Sequence, residues 1–171
     1  GDSTEQPLVQ LMAHIVSGSE PSNVPNLTWK DQNGDIHENP QAYLPEDLDF
    51  LTMDYYPMVR SVMRSVDLLN YVPFSHWMEY PIMAALTVKG CNQNCTICGG
   101  SAFAGRHLSK RQRPSYCSPE KLAENVRRMG SLSRAPVFIL GDLRQAGMDY
   151  AQRFFRAVQG FDGAVIVEFF Q

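Results

Sequence analysis

Three of the four cysteines fall within one short stretch, Cys91-Asn92-Gln93-Asn94-Cys95-Thr96-Ile97-Cys98, at the spacing Cys-x3-Cys-x2-Cys. Nothing else in the sequence restricts the fold so tightly, because spacing this short puts all three thiols on one loop. Three thiolates on such a loop can hold three irons of a cubane cluster and leave the fourth iron without a protein ligand. Electron-transfer clusters are instead closed by a fourth cysteine. An open position points to chemistry at the metal, as it does in catalytic zinc sites.

The context of the loop predicts a fold class. Tyr80-Pro81-Ile82-Met83-Ala84-Ala85-Leu86-Thr87-Val88 is a nearly continuous apolar run of strand length, broken by Lys89-Gly90 directly before the cysteines. Such runs suit strands buried on both faces, as in parallel sheets. The cysteines then follow the carboxyl end of a buried strand, where α/β folds place their active sites. Two other uses of the thiols stand beside this one. Cys91, Cys95 and Cys98 with His107 or Cys117 could close a structural zinc site in a non-enzymatic binding module. Structural zinc more often takes two separated ligand pairs, and only one compact group exists here. A disulfide cluster lacks the secretory signal that would favour it.

The stretch after residue 80 reads as repeated strand-helix units, which imply a parallel sheet with right-handed crossovers. Ser118-Pro119-Glu120 marks a helix start, with Leu122, Val126 and Met129 as its buried stripe and Gly130 as its stop. Pro136 to Leu140 is a second strand, Asp149 to Val158 a second helix, and residues 164–170 a third strand. Before residue 80 the pattern differs. Residues 3–17 read as a helix capped by Ser3 or Thr4 and ended by Gly18. Asn33-Gly34 between two short runs signals a hairpin with a type I′ turn. An acidic, Pro-containing connector runs from Asn39 to Phe50, and Met58 to Leu69 suggest a short helix. The expected division is 1–79, the end of an upstream domain with hairpin and connector, and 80–171. The first residues, Gly1-Asp2, and the apolar run at the carboxyl end read as an excised piece of a longer protein.

The run Thr87-Val88-Lys89-Gly90-Cys91 to Cys98 resembles the cluster-binding loop of the radical S-adenosylmethionine (SAM) enzymes, with Ile97 where that family usually has an aromatic residue. Gly1-Asp2-Ser3-Thr4-Glu5, the hairpin around Asn33-Gly34, Asn39-Pro40 and Glu46-Asp47-Leu48 look like the linker of its cobalamin-binding members. The resemblance implies an α/β fold. Residues 80–171 would be the amino-terminal half of a six-stranded partial (β/α) barrel, preceded by a helix and a β-hairpin. It implies a 4Fe–4S cluster on Cys91, Cys95 and Cys98, with SAM chelated at the open iron and reductively cleaved to a 5′-deoxyadenosyl radical. It implies an electron donor such as a flavodoxin or ferredoxin and a small-molecule substrate. Cobalamin would belong to the full-length parent, since the histidine-bearing loop that holds it would lie upstream.

The resemblance also gives roles to residues outside the loop. Gly141-Asp142 follows the second strand, where the family often has a turn that receives the SAM amino group. Glu168 is an acid within the third strand, costly to bury unless paired, and so a candidate for the cofactor or substrate cavity. A solvated strand-end aspartate and an exposed edge acid are the plain alternatives. Gly99 and Gly100 read as a close-approach site or a simple turn. Arg106, His107, Lys110, Arg111 and Arg113 read as a solvated loop or an anionic-substrate contact. Cys117 reads as a small packed residue. His14, His37 and His76 have no partners at metal spacing, and no catalytic residue is assigned.

Composition closes off other classes. With 44% hydrophobic and 19% charged residues the 171-residue chain is globular, and a net charge of −3 argues against a large nucleic-acid surface. No apolar run is long enough to span a bilayer, and the thiol-rich, signal-free pattern suggests a cytoplasmic protein.

Overall fold

A computed structural model describes residues 3–65 and 82–169. In chain order the elements are α1 (Glu5–Ser17), β1 (Thr28–Lys30), β2 (Ile36–Glu38), α2 (Tyr56–Arg64), β3 (Met83–Leu86) and β4 (Val88–Lys89). Then come α3 (Ala102–Leu108), β5 (Ser115–Tyr116), α4 (Pro119–Leu132), β6 (Val137–Leu140), a 3-10 turn (Leu143–Ala146), α5 (Met148–Ala157) and β7 (Val165–Val167). They group into two compact units. One joins Gly1–Glu46 to Gly90–Pro114, and the other joins Asp47–Lys89 to Ser115–Gln171.

In the first unit, α1 ends at Gly18 as its sequence implies, the Gly18 N–H donating to His14 O and Ile15 O. Thr4 occupies the cap position, but its side chain makes no capping bond. Only Pro7 of α1 is buried, while Leu8, Met12, Ile15 and Val16 are at least half exposed. β1 and β2 pair antiparallel, Trp29 opposite His37. The hairpin loop is wider than a two-residue type I′ turn. The Asp31 N–H donates to Asp35 O, and the Asp31 carboxylate accepts from the Asn33 and Asp35 N–H groups. A carboxylate that gathers backbone donors stabilises a longer loop than Asn-Gly alone would choose. It also meets His37 Nε2 at 3.0 Å, and that contact holds the Asp31 carboxyl below its usual range.

The second unit is a mixed α/β layer. β3, β6 and β7 form a parallel sheet in that order, Met83 opposite Val137 and Val137 opposite Val165. Alternate residues Met83, Ala85, Val137 and Ile139 are fully or almost fully buried. Leu122, Val126 and Met129 of α4 and Ala151 and Phe154 of α5 complete the core. Ser118 caps α4 through its side chain, which accepts from the Lys121 N–H, and Pro119 follows as the cap pattern requires. On the outer side of β3 the Tyr55 hydroxyl donates to Ala84 O and accepts from the Ala84 N–H, which satisfies a free edge. Buried Asn125 accepts from the Met53 N–H and donates to Leu51 O, so one amide ties residues 51–53 to α4.

Three further details differ from the sequence reading. The run 80–88 is not one strand: β3 joins the parallel sheet, whereas β4 pairs antiparallel with β5, and residues 80–81 lie outside the described residues. The break falls at buried Thr87, whose hydroxyl donates to Leu140 O and whose carbonyl accepts from the Cys117 N–H. The acidic connector contributes a fully buried residue, Leu48, whose N–H donates to Tyr116 O. Residues 66–69 of the expected short helix are likewise outside the described residues.

The third difference is that Gly130 does not stop α4, which runs on to Leu132. A Cβ at Gly130 would lie 2.2 Å from Phe161 Cε2, and one at Gly163 would lie 2.5 Å from Phe161 Cζ. The ring therefore sits between two glycines, and the glycine in the helix answers to packing. Glycine inside a helix ordinarily costs about 0.5–1 kcal/mol relative to alanine. Here Gly130→Ala is expected to destabilise, by about 1–3 kcal/mol, as overpacking does. Urea denaturation should show a lowered midpoint. A raised midpoint would mean that Phe161 does not fill this gap.

Candidate functional site

The cysteine loop opens at Gly90, where the backbone turns through φ +94°. The thiols are held by the segment's own hydrogen bonds. The Gln93 N–H donates to Cys91 Sγ (3.3 Å), the Cys98 N–H to Cys95 O (3.2 Å) and the Ser101 N–H to Cys98 O (3.1 Å). The loop is then pinned to α3. The Ala102 N–H donates to Gln93 O and the Phe103 N–H to Asn94 Oδ1, both at 2.8 Å. Buried Ser101 caps α3 by accepting from the Ala104 N–H. The sequence reading had a solvated loop where α3 lies, and it passed over Asn94 and Ser101. Ser101 followed by Ala102-Phe103-Ala104 was the available signal, a cap ahead of helix formers.

Cys95 and Cys98 are exposed, Cys91 is half-buried, and Ile97 is 99% exposed. Cys95, Ile97, Cys98, Gly99, Ser101 and Phe103 line an open cavity of about 570 Å³, and Cys91 is not part of that lining. Among the described residues no three His, Cys, Asp or Glu side chains converge to hold a metal ion. The donor set nevertheless suits a thiophilic metal group. None of the three thiols is in a disulfide, and Gly90 to Pro114 contains no Asp or Glu to compete as a hard ligand. A Cβ at Gly99 would meet no protein atom within 4 Å, so packing does not account for the missing side chain. Gly100 would meet only Cys98 Sγ, at 3.8 Å.

Gly141, Asp142 and Glu168 belong to the second unit. Gly141 turns the chain off β6 with φ +101°, and a Cβ there would lie 2.9 Å from Val88 Cγ1, so the turn requires glycine in both conformation and space. Asp142 is buried and its carboxylate is engaged. It accepts from the Arg144 N–H at 2.9 Å and from Arg144 Nε and Nη2 at 3.0 and 2.6 Å. These bonds to Asp142 raise the pKa of Arg144 above its ordinary value. The same guanidinium lies 4.7 Å from the Phe169 ring centroid. Glu168 follows β7 directly and is half-buried, past the strand end rather than within it. Because β6 and β7 are neighbouring parallel strands, Asp142 and Glu168 follow adjacent carboxyl ends.

The basic stretch divides. Arg106 and His107 lie in the last turn of α3, and His107 stacks on Phe103 with ring centroids 4.0 Å apart. Arg111, in contrast, is only 6% exposed and donates to Pro45 O. His14 meets Ser19 Oγ and His37 stacks on Trp29, while His76 lies outside the described residues.

Cys117 is a core residue, 1% exposed, and the Tyr150 hydroxyl donates to its carbonyl. Burial, with the Asp49 carboxylate next, pushes its thiol up to about 12. Burial raises Tyr150 as well. An acid whose folded pKa is raised adds stability that is complete below its unfolded pKa, about 8.5 for cysteine. That stability is lost as pH climbs toward the folded value. The second unit should therefore weaken from about pH 9 upward. At neutral pH, under reducing conditions, a thiol reagent should label three cysteines quickly and the fourth only on unfolding. Four fast thiols would contradict the burial of Cys117.

No protein-family model matches the chain, and no curated protein matches its sequence. Two solved structures of the radical S-adenosylmethionine methyltransferase TsrM from Kitasatospora setae are similar. One holds the tryptophan substrate and a SAM analog (aza-SAM). It matches with a TM-score of 0.58 and 13% identity over 90% of this chain and 27% of that one. The other holds cobalamin and a 4Fe–4S cluster, and matches with a TM-score of 0.54 and 15% identity over 89% and 28%. The chain thus spans about a quarter of the length of those chains, and at such identities the likeness is one of fold.

Proposed function

We propose that residues 80–171 form the opening half of a radical SAM partial barrel. In this reading Cys91, Cys95 and Cys98 ligate a 4Fe–4S cluster, and residues 1–79 lead in from an upstream domain. The observation that carries the reading is the three-thiol loop, free of acids, placed directly after a strand pair that leaves a parallel sheet. The fold likeness to a radical SAM enzyme supports it. When bound, the cluster supplies an iron without a protein ligand at which SAM is chelated and reductively cleaved. The chain's own work is placement. Asn94 and Ser101 fix the loop on α3, and the exposed thiols face an open cavity. Gly141, Asp142 and Glu168 stand at strand ends, the position where open α/β sheets bind ligands. Arg144 holds the Asp142 carboxylate, so in this reading Asp142 shapes the turn that follows β6.

The parent would draw its electron from a flavodoxin or ferredoxin, act on a small-molecule substrate and bind cobalamin outside this stretch. A reducing cytoplasm suits cysteines that form no disulfide. No helix among the described residues is long and apolar enough to cross a membrane. Anaerobic reconstitution tests the reading. About four irons and four sulfides per chain are expected, and the parent should release 5′-deoxyadenosine from SAM. Stoichiometric zinc without sulfide would replace it with a closed structural site.

A further inference from the structure

Gly90 to Pro114 holds four cations, Arg106, Lys110, Arg111 and Arg113, and no acid, a charge of +4 within a chain of net −3. Arg111 is turned inward. Arg106, Lys110 and Arg113 are exposed, and none takes part in an ion pair among the described residues. The fold gathers these charges. Lys110 adopts φ +57°, an uncommon conformation for a residue with a side chain. The reversal there lets the Arg111 N–H donate to Gly105 O, which lays residues 110–113 back along α3. Repulsion between like charges and a left-handed turn are both costs, and no acid of the segment offsets them. Phe103 and Leu108 are 56% and 73% exposed on the same helix.

We infer that α3 and the return to Pro114 form the docking surface for an acidic one-electron donor protein of the flavodoxin or ferredoxin type. The inference rests on the function proposed above and gives its electron source a location. A basic, partly apolar patch is complementary to an acidic partner, and redox encounters use small interfaces steered by charge. α3 is tied directly to the cysteine loop through the Gln93 carbonyl and the Asn94 side chain, so a donor seated there lies next to the thiols. One electron leaves the donor, which departs oxidised, and reduces the group the thiols hold. No proton or further reactant is needed. The net negative charge of the chain disfavours a nucleic acid as occupant.

The test is binding of a purified acidic flavodoxin to the full chain, measured at about 20 and about 300 mM salt, conditions that bracket strong and weak screening. Affinity should fall at least about tenfold across that range. The variant Arg106→Glu/Lys110→Glu/Arg113→Glu should lose about tenfold or more at low salt. Arg60→Glu/Arg134→Glu/Arg156→Glu, exposed positions of the other unit, should change it little. Wild-type affinity in the first variant, or equal loss in the second, overturns the docking surface. So does preferential capture of a single-stranded oligonucleotide. Dithionite, which needs no docking, should reduce reconstituted wild type and the first variant equally; a slower variant would mean that the cations serve the thiol site itself. Failure of the wild type to take up iron would refute the proposed function, while the binding comparison still decides the docking.

Discussion

Replacing Cys91, Cys95 or Cys98 by alanine, one at a time, should reduce the iron of the reconstituted chain from about four per chain to near zero. Replacing Cys117 should leave it unchanged. In the proposed function each loop thiolate would hold its own iron, and Gly90 to Pro114 offers no carboxylate that could take over. Cys117 is 1% exposed with a thiol pushed up to about 12, so it is protonated and enclosed at any working pH. Iron, sulfide and visible absorption, measured on four variants with matched circular dichroism, decide the matter. Equal loss in Cys117→Ala would indicate a closed four-cysteine site, and the open-iron reading would fall with it.

What could be read from the sequence was whatever local chemistry determines. Ser118-Pro119 starts α4 because a cap and a proline at the first helical position are local devices. The apolar runs around Met83, Val137 and Val165 became the three parallel strands, the first two burying alternate residues and the third only half-buried. What escaped notice depends on partners distant in sequence. Gly130 reads as a stop until Phe161, far along the chain, is seen against it. Leu48 looks like part of a polar connector until Tyr116 pairs with its backbone. At the site, the cysteine spacing was visible and its support was not. Asn94 and Ser101 are ordinary polar residues whose roles appear only once α3 forms. Asp142 was legible as a strand-end acid, but its pairing with Arg144 follows from the 3-10 turn that brings them together.

Phe154→Ala should cost the second unit about 3–5 kcal/mol, the range for deleting a fully buried phenylalanine. The adjacent Phe155→Ala should cost about 1 kcal/mol or less, as truncation of a partly exposed side chain does. Phe154 is 0% exposed and is the largest fully buried side chain described, whereas Phe155 is 44% exposed and meets it only edge-on, at 5.5 Å. The two point about 100° apart around α5, so the pair measures which face of the helix docks. Around this core the chain runs from Asp142 at the end of β6, through α5, to β7 and Glu168. A cavity left by Phe154 would loosen the connection between those two strand ends. With a urea slope of about 2 kcal/mol per molar, the midpoint should drop by roughly 2 M for Phe154→Ala. It should shift little for Phe155→Ala. Equal shifts would mean that α5 does not pack as described, and the placement of Asp142 and Glu168 at adjacent strand ends would lose its support.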